Sequence, residues 1–211
     1  FTLHYCYYLG NIIDLVRTPT MRTYTTHLGY NWFVCGLCFF GGAQYIGQLG
    51  GNIFINVALS ALIQIPSTFF SIWSVKAWGR RPTLVFSNLL SSASCLLIGG
   101  VPSDWAWFRS SLSCLDMFGL AICFQTVYIY SGELFPTVVR NVGVGTSSMF
   151  ARVGSMAAPF ITGLVVVREW LPMLVFGVAP LIGALLCLRL PETVDCKLPD
   201  TVEEAELLER A

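Results

Sequence analysis

The sequence predicts an all-α membrane protein with six transmembrane helices. Hydrophobic residues make up 55% of the 211-residue chain, charged residues make up 11%, and the mean hydropathy is +0.68. Ordinary soluble domains carry roughly 25% charged residues. A helix needs roughly 20 predominantly apolar residues to cross a bilayer, and six stretches qualify. They are residues 28–48, 53–78, 83–101, 105–131, 142–167 and 171–190.

The basic residues indicate how these spans are oriented. Of the 12 Lys and Arg residues, only Arg109 and Arg168 fall on one side of the predicted membrane, and Arg152 falls inside a span. The positive-inside rule therefore predicts that the opposite side, which includes both termini, faces the cytoplasm. It holds Arg17, Arg22, Lys76, Arg80, Arg81, Arg140, Arg189, Lys197 and Arg210.

Three segments follow from this orientation. Residues 1–27 are predicted to form a cytosolic linker, residues 28–190 a six-helix bundle in two groups of three helices, and residues 191–211 a cytosolic C-terminal tail. The chain begins with Phe1 rather than Met, so we expect it to be part of something longer.

Composition and motifs disfavour several classes of function. The 12 acidic residues balance the 12 basic ones, so no basic excess indicates a nucleic-acid partner. The eight cysteines lie mostly in apolar runs, and the Cys35/Cys38 pair has no second pair beside it, so we expect neither a disulfide framework nor a metal site. We find no constellation of an enzyme active site and expect no cofactor. One central Arg without a ring of charged residues also disfavours a channel.

The stretch "SSMFARVGSMAAPF" at 147–160 carries the most informative residue. If the fifth helix begins near Val142, Arg152 lies about 15 Å along it, close to the midplane of a ~30 Å hydrocarbon core. Arg at that depth costs about 2.5–3.5 kcal/mol, so it normally faces a bundle interior or a wet cavity. A ligand carboxylate would suit its bidentate guanidinium. The alternative is a structural Arg, tied to helix carbonyls or to the intramembrane acid Asp116.

Polar and aromatic residues at similar depth are further candidates for binding. Gln64 and Gln125 offer neutral hydrogen-bonding groups, although a bond between helices is an equal alternative for each. Trp32, Phe39 and Phe40 fall on one face of the first span, where they would either hold a cationic head by cation–π attraction or serve as packing.

Two predicted cytosolic loops carry a candidate gate. "GRRP" at 79–82 contains Arg80 and Arg81, and "GELFPTVVRNVGVG" at 132–145 contains Glu133 and Arg140. Opposite charges at neighbouring helix ends can pair when those ends converge and separate when they spread. The alternative is simple anchoring at the membrane surface, as in most membrane proteins.

These loops, with flanking segments, resemble the C-terminal half of the organic ion and carnitine transporters of the major facilitator superfamily. The resemblance runs from about residue 9 to the end, and "ELFPTVVRNVGVG" together with the "LPDT" tail is its most specific part. It implies an alternating-access carrier of twelve helices in two six-helix halves, with this chain as helices seven to twelve. It rests on "NIIDLVRTPTMR", "GRRPTL", "YSGELFPTVVRNVGVG", "ARVGSMAAPF" and "LPETVDCKLPDTVEEAE".

The resemblance also assigns roles to residues. The family's cation carriers have Asp at the position of Arg152, whereas its anion, carnitine and zwitterion carriers have Arg in a context that "ARVGSM" matches. Trp32, Phe39, Phe40 and Gln125 fall on positions that line the family's central cavity. Three departures are Gln64 where cation and carnitine carriers usually have Glu, Thr68 where anion carriers tend to have Lys, and Asp116 where Lys or Arg is usual.

The sequence thus predicts a plasma-membrane carrier of small organic anions or carnitine-like zwitterions. Arg152, Gln125, Gln64, Trp32, Phe39 and Phe40 would bind the substrate, and the missing N-terminal six-helix half would supply the other wall of the cavity. One alternative is an organic cation transporter of the same family. The other is a truncated, non-transporting half-protein that acts as an assembly partner.

Overall fold

The computed structural model of the protein describes residues 15–46, 53–102 and 105–194, which form helices joined by short connections. A single turn of 3₁₀ helix, Leu164–Val166, follows the fifth of the six α-helices. The α-helices are α1 (Pro19–Ile46), α2 (Ile53–Ala77), α3 (Arg80–Gly100), α4 (Ala106–Leu134), α5 (Arg140–Gly163) and α6 (Leu171–Cys187).

Each predicted span corresponds to one of these helices, which confirms the all-α membrane fold class. In the described part of the chain, α2 to α5 are long and apolar enough to cross a membrane. The helix α6 is apolar but has only 17 residues. The helix α1 has 28 residues and begins at Pro19, upstream of the predicted span, so the segment predicted as a linker includes its polar first turns. Most of that segment and of the predicted tail, 1–14 and 195–211, lies outside the described residues.

The helix α1 occupies the centre of the bundle. It packs most extensively against α5 and also against α4 and α6, while α3 packs against α4 and α6. The largest fully buried side chains include Tyr24 and Trp32 on α1 and Tyr130 on α4. The centre of the bundle is therefore a packed core of large side chains, most of them from α1 and α4.

Small residues bring α1 and α5 together at backbone distance. A methyl group added at Gly36 would collide with the carbonyl of Ala151, and one added at Gly154 would lie 2.9 Å from the backbone nitrogen of Leu37. Lipid tails are as apolar as Leu, so helices in a membrane associate through close van der Waals packing, which small residues permit. Gly36 and Gly154 thus fix how closely α1 and α5 approach.

The helices α2 and α5 bury the least surface. Only 11% of the apolar window of α2 and 22% of that of α5 are buried, against 50% for α3 and 61% for α4. The buried side of α2 is mainly a row of serines, while Phe54 and Phe69 are exposed. Much of the apolar surface of these two helices is therefore left for lipid or for another protein surface.

Two polar contacts show that neighbouring helices run in opposite directions. At one end of the bundle, Nη2 of Arg109, at the start of α4, donates to the hydroxyl of Tyr45, at the end of α1, over 2.6 Å. At the other end, Arg80 begins α3 and lies beside Glu133, in the last turn of α4. The loops predicted to share one membrane side, at 79–82 and 132–145, do lie together.

Candidate functional site

Arg152 lies on an exposed flank of α5. Its neighbours Ala151 and Gly154 are buried against α1, and a helix turns by about 100° per residue, so Arg152 points away from that contact. Among the described residues its guanidinium has no hydrogen-bond or ion-pair partner. Asp116, the acid considered as a structural partner, instead accepts a hydrogen bond from Oγ of Ser91 over 2.6 Å. The guanidinium is therefore available to a ligand or to another chain.

Four aromatic side chains on α1 and α4 pack against one another in a continuous cluster, here termed the aromatic wall. Its members are Trp32, Phe39, Phe124 and Tyr128. The ring of Tyr128 stands edge-on to Trp32 with 4.2 Å between centroids, and Phe124 lies 5.6 Å from Tyr128 and 5.8 Å from Phe39. Phe40 extends the wall on α1, 5.8 Å from Phe39. The negative faces of aromatic rings attract organic cations.

The structure changes the role expected of Trp32. Its side chain is fully buried, and its Nε1 donates to Oγ of Ser131 over 2.9 Å, so in this arrangement a ligand cannot touch it. Tyr128 covers it and is 46% exposed. Sequence reasoning missed Tyr128 and Phe124, although Tyr128 lies one turn beyond Gln125 on α4 and spacing of this kind puts two residues on one helix face.

The two glutamines are connected through Thr68. Nε2 of Gln125 donates to Oγ1 of Thr68 over 2.9 Å, and that hydroxyl in turn donates to the backbone carbonyl of Gln64 over 3.0 Å. The side chain of Gln64 contacts its own helix, at 3.5 Å from the carbonyl of Ser60. Gln125 thus makes the hydrogen bond between helices that was its alternative role. Both glutamines remain half-buried, so part of each is exposed.

The six predicted binding residues do not form one contact network. Trp32, Phe39 and Phe40 belong to the aromatic wall or adjoin it, Gln64 and Gln125 meet through Thr68, and Arg152 stands apart on α5. The helix α1 lies between α4 and α5, which contact one another far less than either contacts α1. A ligand that touched both Arg152 and the aromatic wall would have to span this separation.

The predicted gate residues Arg80 and Glu133 form an ion pair. Nη2 of Arg80 lies 2.7 Å from Oε1 of Glu133, and both side chains are mostly buried, with 23% and 18% exposed. The other carboxylate oxygen of Glu133 accepts a hydrogen bond from Oγ1 of Thr193 over 2.7 Å. Arg80, Glu133, Thr193 and Glu192 are here termed the charged cluster, which joins the start of α3, the end of α4 and the segment after α6.

Glu192 holds the start of α3 in this cluster. Its carboxylate accepts the backbone N–H groups of Arg80 and Arg81, each over 3.0 Å. The first N–H groups of a helix lack partners within the helix, and a negative charge there also interacts favourably with the helix dipole. The preceding residue, Gly79, has φ of 101°, a conformation that favours glycine, and a Cβ there would lie 2.9 Å from the Glu192 carboxyl carbon.

Sequence reasoning did not select Glu192. Two features could have indicated its role. Glu192 lies in the "LPET" stretch that follows the last span, and the N-cap residue of α3 is a glycine, which has no side chain to cap the helix. Arg81 and Arg140 differ from the expected pairing. Nη2 of Arg81 donates to the Leu188 carbonyl, and Arg140 reaches the carbonyl of Phe135 and the hydroxyl of Thr137, each at 3.4 Å, rather than Glu133.

Comparison with known proteins identifies this architecture. A family model described as Major Facilitator Superfamily matches residues 47–208, which is more than half of the 211 residues. The chain belongs to the Major Facilitator Superfamily. This membership agrees with the helical bundle and with the family resemblance of the loop sequences, and it makes the chain a multi-pass membrane protein of that superfamily.

The relatives of this chain include solute carriers and an organic cation transporter protein. The chain is 37% identical over 201 residues to human solute carrier family 22 member 2, covering 95% of this chain and 36% of that protein. It is 36% identical over 197 residues to the organic cation transporter protein of Drosophila melanogaster, covering 93% of this chain and 36% of that protein. The chain thus spans about a third of the length of the curated relatives it matches.

Proposed function

We propose that this chain is the C-terminal half of an alternating-access carrier of small organic ions in the plasma membrane. Membership of the Major Facilitator Superfamily and the relatives' names support this proposal, and those relatives are nearly three times as long as the aligned segment. The exposed apolar faces of α2 and α5 are the surfaces on which an N-terminal six-helix half would pack. Both termini of the segment would face the cytoplasm.

The substrate that the site favours carries a carboxylate. The single observation behind this is the exposed Arg152, whose guanidinium has no partner among the described residues. Leaving such a charge near the midplane without a counter-ion is costly, and a carboxylate fits its two parallel N–H donors. The aromatic wall would accommodate a quaternary ammonium head, which extends the class from organic anions to carnitine-like zwitterions.

An organic cation is the second candidate, and two observations favour it. The fly relative is named an organic cation transporter protein, and the aromatic wall presents an exposed Tyr128. Against it, the candidate residues include no carboxylate, because Gln64 and Gln125 are neutral amides. A half-protein that only assembles with another segment is the remaining alternative.

The charged cluster would act as the inner gate of such a carrier. In this structure the ion pair of Arg80 with Glu133 and the Glu192 contacts hold three helix ends together. Opening the cytosolic mouth would separate or shift these ends. A substrate can drive that change only if it binds one arrangement more tightly than the other, which requires the cavity to close around it.

Uptake in cells of three labelled probes tests the proposal: a dicarboxylate, carnitine and a permanent organic cation. The assay compares the chain alone, the chain joined to an upstream six-helix half, and the joined form with Arg152→Ala. We expect uptake of the dicarboxylate or carnitine to require the upstream half. Arg152→Ala should weaken this uptake about 10- to 100-fold, because losing a hydrogen bond to a charged group costs about 1.5–3 kcal/mol.

The matched control is Arg168→Ala, which removes an exposed cation between α5 and α6. It should leave uptake and surface expression unchanged. Uptake of the organic cation that is unchanged by Arg152→Ala would show that the guanidinium is structural. It would also show that the cavity prefers cations to anions. Parallel loss of surface expression and uptake in Arg152→Ala would also assign Arg152 a structural role.

A further inference from the structure

Asp116 is a buried acid that the proposed transport mechanism does not use. It lies on α4 where α1 and α3 meet it, and only 4% of it is exposed. One carboxyl oxygen accepts the hydroxyl of Ser91 on α3. The other faces Gly42 on α1, where an added Cβ would lie 3.5 Å from it. The carboxyl group is therefore enclosed by three helices of the same bundle.

No cation neutralises this carboxyl group within the described part of the chain. The ionisable groups that interact electrostatically with it from neighbouring helices are the thiols of Cys95 on α3 and Cys38 on α1. On its own helix the nearest cation is Arg109, seven residues earlier and about 10 Å away by helical rise. That guanidinium donates to the hydroxyl of Tyr45.

An ionised carboxylate is poorly supported in such a place. Removing a carboxylate from water costs several kcal/mol even after relaxation, and only a paired cation or several strong donors compensate for that cost. One serine hydroxyl does not replace a hydration shell. A carboxylic acid that keeps its proton avoids this cost and fits the same space.

We propose that Asp116 is a proton-binding site in the core of the bundle. The proton is bound while α1, α3 and α4 are packed as in this structure. Its release to water leaves a carboxylate that must be hydrated, so α1 and α3 must separate from α4 at Gly42 and Ser91. The site thus links protonation to the packing of three helices, and it does so whatever substrate the intact protein carries.

Thermal unfolding of the full chain in detergent micelles tests this proposal with the isosteric variant Asp116→Asn, which is neutral at every pH. A carboxyl group in an unfolded chain ionises near pH 4, so a carboxyl that stays protonated when folded stabilises the fold at low pH and loses that effect as pH rises. We expect the melting temperature of the variant, measured against that of the original chain, to rise with pH. The difference should be at least about 3 °C more in favour of the variant at about pH 8.5 than at about pH 5.

Glu169→Gln is the matched control, since it removes an exposed carboxylate from the connection before α6. It should shift the melting temperature equally at both pH values. A variant Asp116→Asn that melts lower than the original chain at both pH values would show an ionised, structurally required Asp116 and would overturn the proposal.

Infrared spectroscopy gives a second test that requires no stable variant at high pH. The original chain near neutral pH should show the carbonyl stretch of a protonated, buried carboxylic acid. That band should be missing from Asp116→Asn and retained in Glu169→Gln. Its absence from the original chain would overturn the proposal even if the melting curves agreed with it.

Discussion

Replacing Gly154 with alanine should destabilise the bundle, although alanine is the better helix former. The added methyl would meet the backbone of α1 at the Phe33 carbonyl and at the nitrogen of Leu37, which cannot move as a side chain can. Overpacking of this kind costs about 1–3 kcal/mol, and each kcal/mol lowers the melting temperature of a chain of this size by about 2–4 °C. Thermal unfolding of the purified chain in detergent micelles measures the effect.

Gly145→Ala on the same helix is the control for this prediction. Nothing lies within 4 Å of a Cβ at Gly145. This change should therefore leave the melting temperature unchanged or raise it slightly, because alanine exceeds glycine in helix propensity by up to about 1 kcal/mol. Equal effects of the two substitutions would show that α1 and α5 do not approach as closely as described.

Glu192→Ala should release the start of α3 from the charged cluster. The substitution removes the charged acceptor for the N–H groups of Arg80 and Arg81, and a hydrogen bond to a charged group contributes about 1.5–3 kcal/mol. Trypsin cleaves after arginine, so the bond between Arg80 and Arg81 reports on local opening. A loss of about 1.4 kcal/mol in the free energy of opening should speed cleavage about tenfold.

Glu192→Gln provides a graded comparison for the protease experiment. It keeps the size of the side chain and one acceptor oxygen but removes the charge, so its cleavage rate should fall between those of the original chain and Glu192→Ala. Thr137→Ala, on the exposed connection between α4 and α5, should leave cleavage at this bond unaltered. Unchanged cleavage in Glu192→Ala would mean that other contacts hold α3 in place.

The sequence was sufficient to predict the helices and their order. Long apolar runs identify membrane helices because every backbone group in a bilayer must be satisfied within its own segment, which few other structures allow. The same reasoning found Arg152, since a cation in such a run is conspicuous without any structure. It was less reliable at the start of α1, where nine residues before the predicted span, most of them polar, already belong to the helix.

The candidate binding surface was only partly predictable. Periodicity put Trp32 on a face with Phe39 and Phe40, but it carries no information about which α4 side chain covers that face. Tyr128 is exposed on this face, whereas Trp32 lies beneath it in the core. The reason is physical, since burial depends on contacts between helices that are distant in the chain, and periodicity describes only one helix at a time.

By itself, the sequence determined that this chain is an all-α membrane segment with one unbalanced cation inside a predicted span. Hydrophobicity and charge act residue by residue, so both features can be read without knowing how the helices pack. Tertiary structure alone decided that Glu192 caps α3, that Arg80 pairs with Glu133, and that Asp116 is enclosed without a described counter-ion. Each of these facts depends on contacts between different helices, which a pattern within one helix does not describe.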